Sequence, residues 1–255
     1  MQQVNIRLYP SGNDNTAIGH KALLGASAGT VSAYSNVAIG KESMASVTTA
    51  HSNVVVGNLA GNTLTTGYYN TYIGKDAGSG STTTHSNVGI GLSALSSNHG
   101  ASNVAIGREA LSSTLDANQV AIGYGSLQYN TLGEKNTAVG YKTLNVNTTG
   151  NYNVAMGHQA LIANVHGDSN VAIGHETLKT LTPADNEGQN IAIGYRAGYY
   201  TTTGIRNTYI GADAGRNSTD GGYNVGIGYR ALENNGLVED GSNNIAIGYL
   251  NMAYN

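Results

Sequence analysis

The chain has 255 residues, 36 of them Gly and 17 Tyr, with no Phe, Trp or Cys, only 11% charged residues and a formal charge of −3. A compact domain built around a core of large apolar side chains is therefore not expected, and disulfides and thiolate metal sites are excluded. Twelve scattered Lys and Arg are too few for a nucleic-acid or anionic-membrane partner.

Residues 1–12 come first. Val4, Ile6 and Leu8 alternate ahead of the Pro10-Ser11-Gly12 turn, predicting a short strand that caps the chain or connects it to a preceding part. Residues 1–10 lack a basic start followed by an apolar run, and nowhere do 18 apolar residues occur together, so no membrane insertion is expected.

From residue 13 to 255 one motif dominates, Asn-x-x-Ile-Gly, with its glycine at 19, 40, 57, 74, 91, 107, 123, 140, 157, 174, 194, 211, 228 and 248. The fourteen copies recur mostly every 17 residues, too short for a helical-hairpin repeat and suited to one coil of a β-solenoid. Residues before the glycine (Ile18, Ile39, Val56, Ile73) and two earlier (Val37, Val54) are β-branched, share one face of a strand, and are expected to point inward. Ala17, Ala105 and Ala246 between them are then expected to face out, as a close-approach surface for sister chains. Leu or Met four residues after the glycine, as at Leu23, Met44 and Leu111, adds a second inward wall. Ile106 and Ile173 are accordingly assigned to the interior, and Ser112 and Asn164 to outer loops. The insertion at 182–188, Thr-Pro-Ala-Asp-Asn-Glu-Gly, falls in such a loop.

The motif opens with Asn15, Asn36, Asn53, Asn70, Asn87, Asn103, Asn136, Asn153, Asn170, Asn190, Asn207, Asn224 and Asn244, with Gln119 as the one exception. Identical amides stacked one coil apart predict a structural hydrogen-bonded ladder. A longer repeat is superimposed: Asn70-Thr-Tyr-Ile-Gly74 matches Asn207-Thr-Tyr-Ile-Gly211, 137 residues or eight coils later. In both places Tyr (72, 209) replaces Ala, Gly (78, 215) replaces Leu, and the next coil has Gly (89, 226), a pattern of compensating packing.

The column after the glycine reads Tyr124, Tyr141, His158, His175, Tyr195, Ala212, Tyr229 and Tyr249. Its seven rings are the ligand-contact candidates, since rings with a polar edge suit sugars. No catalytic, cofactor or metal site is assigned. The seven His, including His99, lack metal-ligand spacing, and Asp76 and Asp213 recur singly rather than as paired carboxylates.

Asn-Val-Ala-Ile-Gly at 103–107 and 170–174 resembles the head repeats of trimeric autotransporter adhesins, and Asn-Thr-Ala-Val-Gly-Tyr-Lys-Thr-Leu at 136–144 resembles repeats of phage tail-fibre and tailspike proteins that carry a C-terminal intramolecular chaperone. The resemblance implies an all-β, left-handed parallel β-solenoid (β-roll) assembled as a homotrimer. It also implies a structural fibre or adhesin subunit, located in a virion tail fibre or cell-surface appendage, contacting a host-surface glycan. A fibre-borne polysaccharide depolymerase with an intersubunit carboxylate site is the alternative. The last coil stops at residues 251–255, so its unpaired edge is expected to be covered by another virion or appendage protein.

Overall fold

A computed structural model describes residues 13–25, 32–97, 100–185, 187–234 and 241–252. The strand expected within residues 1–12, and His99, lie outside the described residues. The chain falls into two compact units, residues 1–124 and 125–255. The first holds β1 (Thr16–Ile18), β2 (Val37–Ile39), β3 (Val54–Val56), β4 (Thr71–Ile73), β5 (Val88–Ile90), β6 (Val104–Ile106) and β7 (Val120–Ile122). The second holds β8 (Thr137–Val139), β9 (Val154–Met156), β10 (Val171–Ile173), β11 (Ile191–Ile193), β12 (Thr208–Ile210), β13 (Val225–Ile227) and β14 (Ile245–Ile247). Helix is absent among the described residues.

Within each unit the strands pair parallel and in chain order, motif against motif. Thr16 pairs with Val37, Ala17 with Ala38 and Ile18 with Ile39, and the 20-residue step from β10 to β11 keeps the same register, Val171 on Ile191 and Ile173 on Ile193. The protein is thus an all-β parallel solenoid with one motif per coil. The 20-residue step from β13 to β14 keeps the register too, Val225 on Ile245 and Ile227 on Ile247, so the longer loops leave it unchanged.

The bends explain the motif glycine. Gly57 has φ of +144°, and a Cβ there would lie 2.3 Å from the Gly74 carbonyl oxygen one coil on. Both the torsion and the contact between coils demand glycine. The other bends are made by single residues in the left-handed region, such as Glu42 (φ 56°), Met44 (φ 48°) and Ser52 (φ 56°). Each such non-glycine residue costs roughly 1–2 kcal/mol. Inter-coil hydrogen bonds offset that cost, for example Glu42 N–H to the His20 carbonyl at 2.8 Å and Met44 N–H to the Ala60 carbonyl at 3.1 Å.

The two strand faces are the reverse of the sequence expectation. Ala38, Ala105 and Ala172 are wholly buried, whereas Ile106 is 37% exposed and Ile18 and Met156 also face outward. Leu four residues after the glycine is inside as expected, with Leu95, Leu111, Leu144 and Leu161 fully buried. The reason is steric. A Cβ placed on Gly89, in the Ala column, would meet Leu95 of the same coil at 3.4 Å. Leu and the strand's middle residue face each other across a thin interior, so a strand residue opposite Leu has room for little more than a methyl.

Asn164 is likewise inside rather than in an exposed loop. Among the described residues, the position seven after the glycine forms another inward column: Val47, Leu64, Ser81 and Thr114 in the first unit, Asn130, Asn147, Asn164 and Leu181 in the second, all buried. The three asparagines form a second amide ladder. Asn147 Nδ2 donates to Asn130 Oδ1 at 2.7 Å, and Asn164 Nδ2 donates to Asn147 Oδ1 at 2.9 Å. The ladder stops at Leu181, which cannot donate, and Asn164 Oδ1 is left buried without a partner.

Candidate functional site

The motif asparagines build the first continuous feature. Asn36 Oδ1 accepts both the backbone N–H of Asn53 at 3.1 Å and its Nδ2 at 2.9 Å, and Asn53 Oδ1 accepts the same pair from Asn70 at 2.9 and 3.0 Å. In the second unit Asn136, Asn153, Asn170 and Asn190 repeat the pattern. Seven of the amide nitrogens also reach a loop carbonyl 14 residues on, as Asn53 does to Gly67 at 2.9 Å and Asn153 to Gly167 at 2.8 Å. The buried amides of this column are spent on one another and on loop carbonyls, so the column closes the coils rather than facing a ligand.

The Tyr and His column divides between the units. Tyr124 lies in the first, with the Arg108 guanidinium 5.5 Å from its ring. In the second, Tyr141, His158, His175 and Tyr195 stack face to face with centroids 5.1, 4.9 and 5.4 Å apart. Ala212 interrupts the stack, and Tyr229 and Tyr249 resume it at 5.4 Å. Stacked this way, the rings cover one another's faces and turn edges, hydroxyls and imidazole nitrogens to solvent. Arg196 lies over both Tyr195 (5.0 Å) and Tyr199 (5.3 Å). Glu176 anchors that cation at 2.9 Å and binds Lys179 at 2.6 Å. The Lys179 hydrogen bond chiefly holds the Glu176 carboxyl below its ordinary range.

A second ring column escaped the sequence reading. Two residues before the motif asparagine, Tyr34, His51, Tyr68 and His85 stack at 4.7, 5.1 and 4.8 Å. Its signal was present in the alternation of Tyr and His at 17-residue steps. Tyr69 stands perpendicular to it, 87° from His51 and 85° from Tyr68.

Asp76 pairs with Lys75 and Asp213 with Arg216, the latter at 3.5 Å. In the second unit Thr149, Asn151, His166, Asp168 and Asp185 line a polar notch of about 150 Å³. There His166 Nδ1 meets both Thr149 Oγ1 at 2.8 Å and Asp185 Oδ1 at 3.2 Å. A proton relay from hydroxyl to carboxylate needs the two on opposite ring nitrogens. Among the described residues no three His, Asp or Glu are grouped to hold a metal ion.

No family model, curated protein or solved structure matches the chain.

Proposed function

We propose that the chain is a structural subunit of a fibre or adhesin, of the tail-fibre kind, that assembles with two parallel copies of itself and carries ring-bearing loops as a contact surface. One observation supports this reading above the others. The outward face of every strand is apolar or Thr: Thr16, Val37, Val54, Thr71 and their successors in one column, Ile18, Ile39, Val56, Ile73 and theirs in the other. No charged side chain occurs among these 28 positions, two in each of fourteen strands. Several remain well exposed, among them Val54, Ile73, Ile106, Ile191 and Ile245.

Contiguous exposed apolar faces mark interaction sites. A face of the same composition in every coil suits a copy of itself in register, and cyclic closure removes the remaining exposure. Three copies is the number that the resembled families imply. The alanine column, buried within the coil, is replaced as the interface by the Val and Ile columns. Light scattering on the purified chain tests the assembly: the reading predicts three times the 26.2 kDa chain mass. A soluble, stable species of single-chain mass overturns it.

A further inference from the structure

We infer that Tyr69 and the ring column beside it form a binding site for a neutral polysaccharide. Tyr69 is the most exposed ring of its surroundings, at 61%. It occupies the position before the motif asparagine, where the flanking coils have Ser52 and Ser86, all three in the left-handed conformation (φ 58°, 56° and 59°). Tyr152 (φ 57°) and Tyr223 (φ 59°) share the torsion, so the surroundings of the ring, not its backbone, set Tyr69 apart.

The second unit has two tyrosines at the same motif position, Tyr152 and Tyr223, both exposed, and each has a cation over its ring. Lys135 lies 5.1 Å over the Tyr152 ring, and Arg206 lies 5.3 Å over Tyr223 and hydrogen bonds its hydroxyl. Among the described residues no cation lies over Tyr69. Its ring stands across the stacked edges of His51 and Tyr68, so a face is presented to solvent beside a row of polar ring edges. His51 and His85 are each tied through Nδ1 to the next serine hydroxyl at 3.4 Å, which directs Nε2 away from the backbone.

Charge defines the ligand class. From residue 43 to 74, and again from 77 to 107, the sequence carries no Asp, Glu, Lys or Arg. An anionic polymer finds no counter-charge on these loops, and a cationic one finds no carboxylate. A neutral sugar meets what it needs: an open ring face for its apolar C–H surface, and hydroxyl and imidazole edges for its hydroxyls.

The inference rests on the contact-surface part of the proposed function and is independent of subunit number. Native electrophoresis of the full chain through gels containing dextran, mannan or galactomannan, with alginate as the anionic control, tests it. Retardation is expected in at least one neutral gel and not in alginate. Tyr69→Ala should weaken it at least tenfold and Tyr69→Phe less than twofold, while Tyr152→Ala and Tyr223→Ala leave it unchanged. Far-ultraviolet circular dichroism confirms that each variant is folded. Absence of retardation in all three neutral gels, equal retardation in alginate, or full retention by Tyr69→Ala each overturns the site. Light scattering on the same samples reports assembly separately, so failure of binding leaves the assembly reading standing.

Discussion

Tyr72 in the first unit and Tyr209 in the second replace the inward alanine at matching positions, yet their hydroxyls have different fates. Both rings are fully buried and fit into space cleared by glycines: a Cβ on Gly78 would lie 2.5 Å from the Tyr72 ring, and one on Gly215 would lie 2.4 Å from that of Tyr209. The Tyr72 hydroxyl meets Asn70 Oδ1 at 3.2 Å, Ser81 Oγ at 3.2 Å and Thr84 Oγ1 at 3.3 Å. At the position matching Thr84 the second unit has Gly221, and Leu64 is matched by Thr201. There the Tyr209 hydroxyl, Ser218 Oγ and Thr201 Oγ1 are all buried and make no hydrogen bond of good geometry, although Ser218 and Asn224 lie close enough to the hydroxyl to favour its ionised form slightly. The shape of the plug, set by glycine, is thus retained where its polar satisfaction is not.

Removing the ring sharpens the shared half of this comparison. Tyr72→Ala and Tyr209→Ala should each destabilise their unit by about 4 kcal/mol, because the glycines around the ring have no side chains with which to refill the cavity. Urea unfolding monitored by circular dichroism measures it. A loss below about 1 kcal/mol at both positions would show that the coil collapses around the gap.

Alkaline pH probes the second plug. Burial pushes the Tyr209 phenol up to about 12, from an ordinary value of 10.0. Between those values the unfolded chain has lost this proton and the folded chain keeps it, so stability falls as pH rises from 10 to 12 and is unaffected by this group below 10. The loss amounts to about 2–3 kcal/mol. Comparing the wild type with Tyr209→Phe over that range isolates it, and parallel curves for the two proteins would contradict the burial of an un-ionised phenol.

The smallest effect separates the two plugs. Tyr72→Phe removes a well-bonded hydroxyl and should cost about 1 kcal/mol, whereas Tyr209→Phe removes a buried hydroxyl that makes no hydrogen bond of good geometry and should cost less. Equal costs would mean that the Tyr209 hydroxyl is satisfied as well as that of Tyr72.

Much of this architecture was legible in the sequence because stacked coils translate columns directly into contacts. The amide ladder, the Leu wall, the turn glycine and the coupling of Tyr72 to Gly78 and Gly89 all follow from aligned positions. What misled was the strand itself. Alternation located its two faces, but hydropathy placed Val and Ile inside, although the interior is already filled by residues such as Leu95 and leaves room only for alanine. Asn164 read as a loop residue because polarity was taken for exposure, and its partners Asn130 and Asn147 emerge only once the column seven after the glycine is known to be inward. Tyr69 and its ring column belonged to loops, where no hydrophobic period drew attention to them.

Which strand face is inside sets both how the coil is filled and which surface is left for assembly. The adjacent pair Ala105→Asp and Ile106→Asp decides it, read by circular dichroism and light scattering together. Burying an unpaired carboxylate within the coil costs several kcal/mol, so Ala105→Asp should abolish the β-sheet signal of the first unit. Ile106→Asp should retain the signal while the mass falls from three chains to the 26.2 kDa of one. Loss of fold on Ile106→Asp, with Ala105→Asp tolerated, would contradict it.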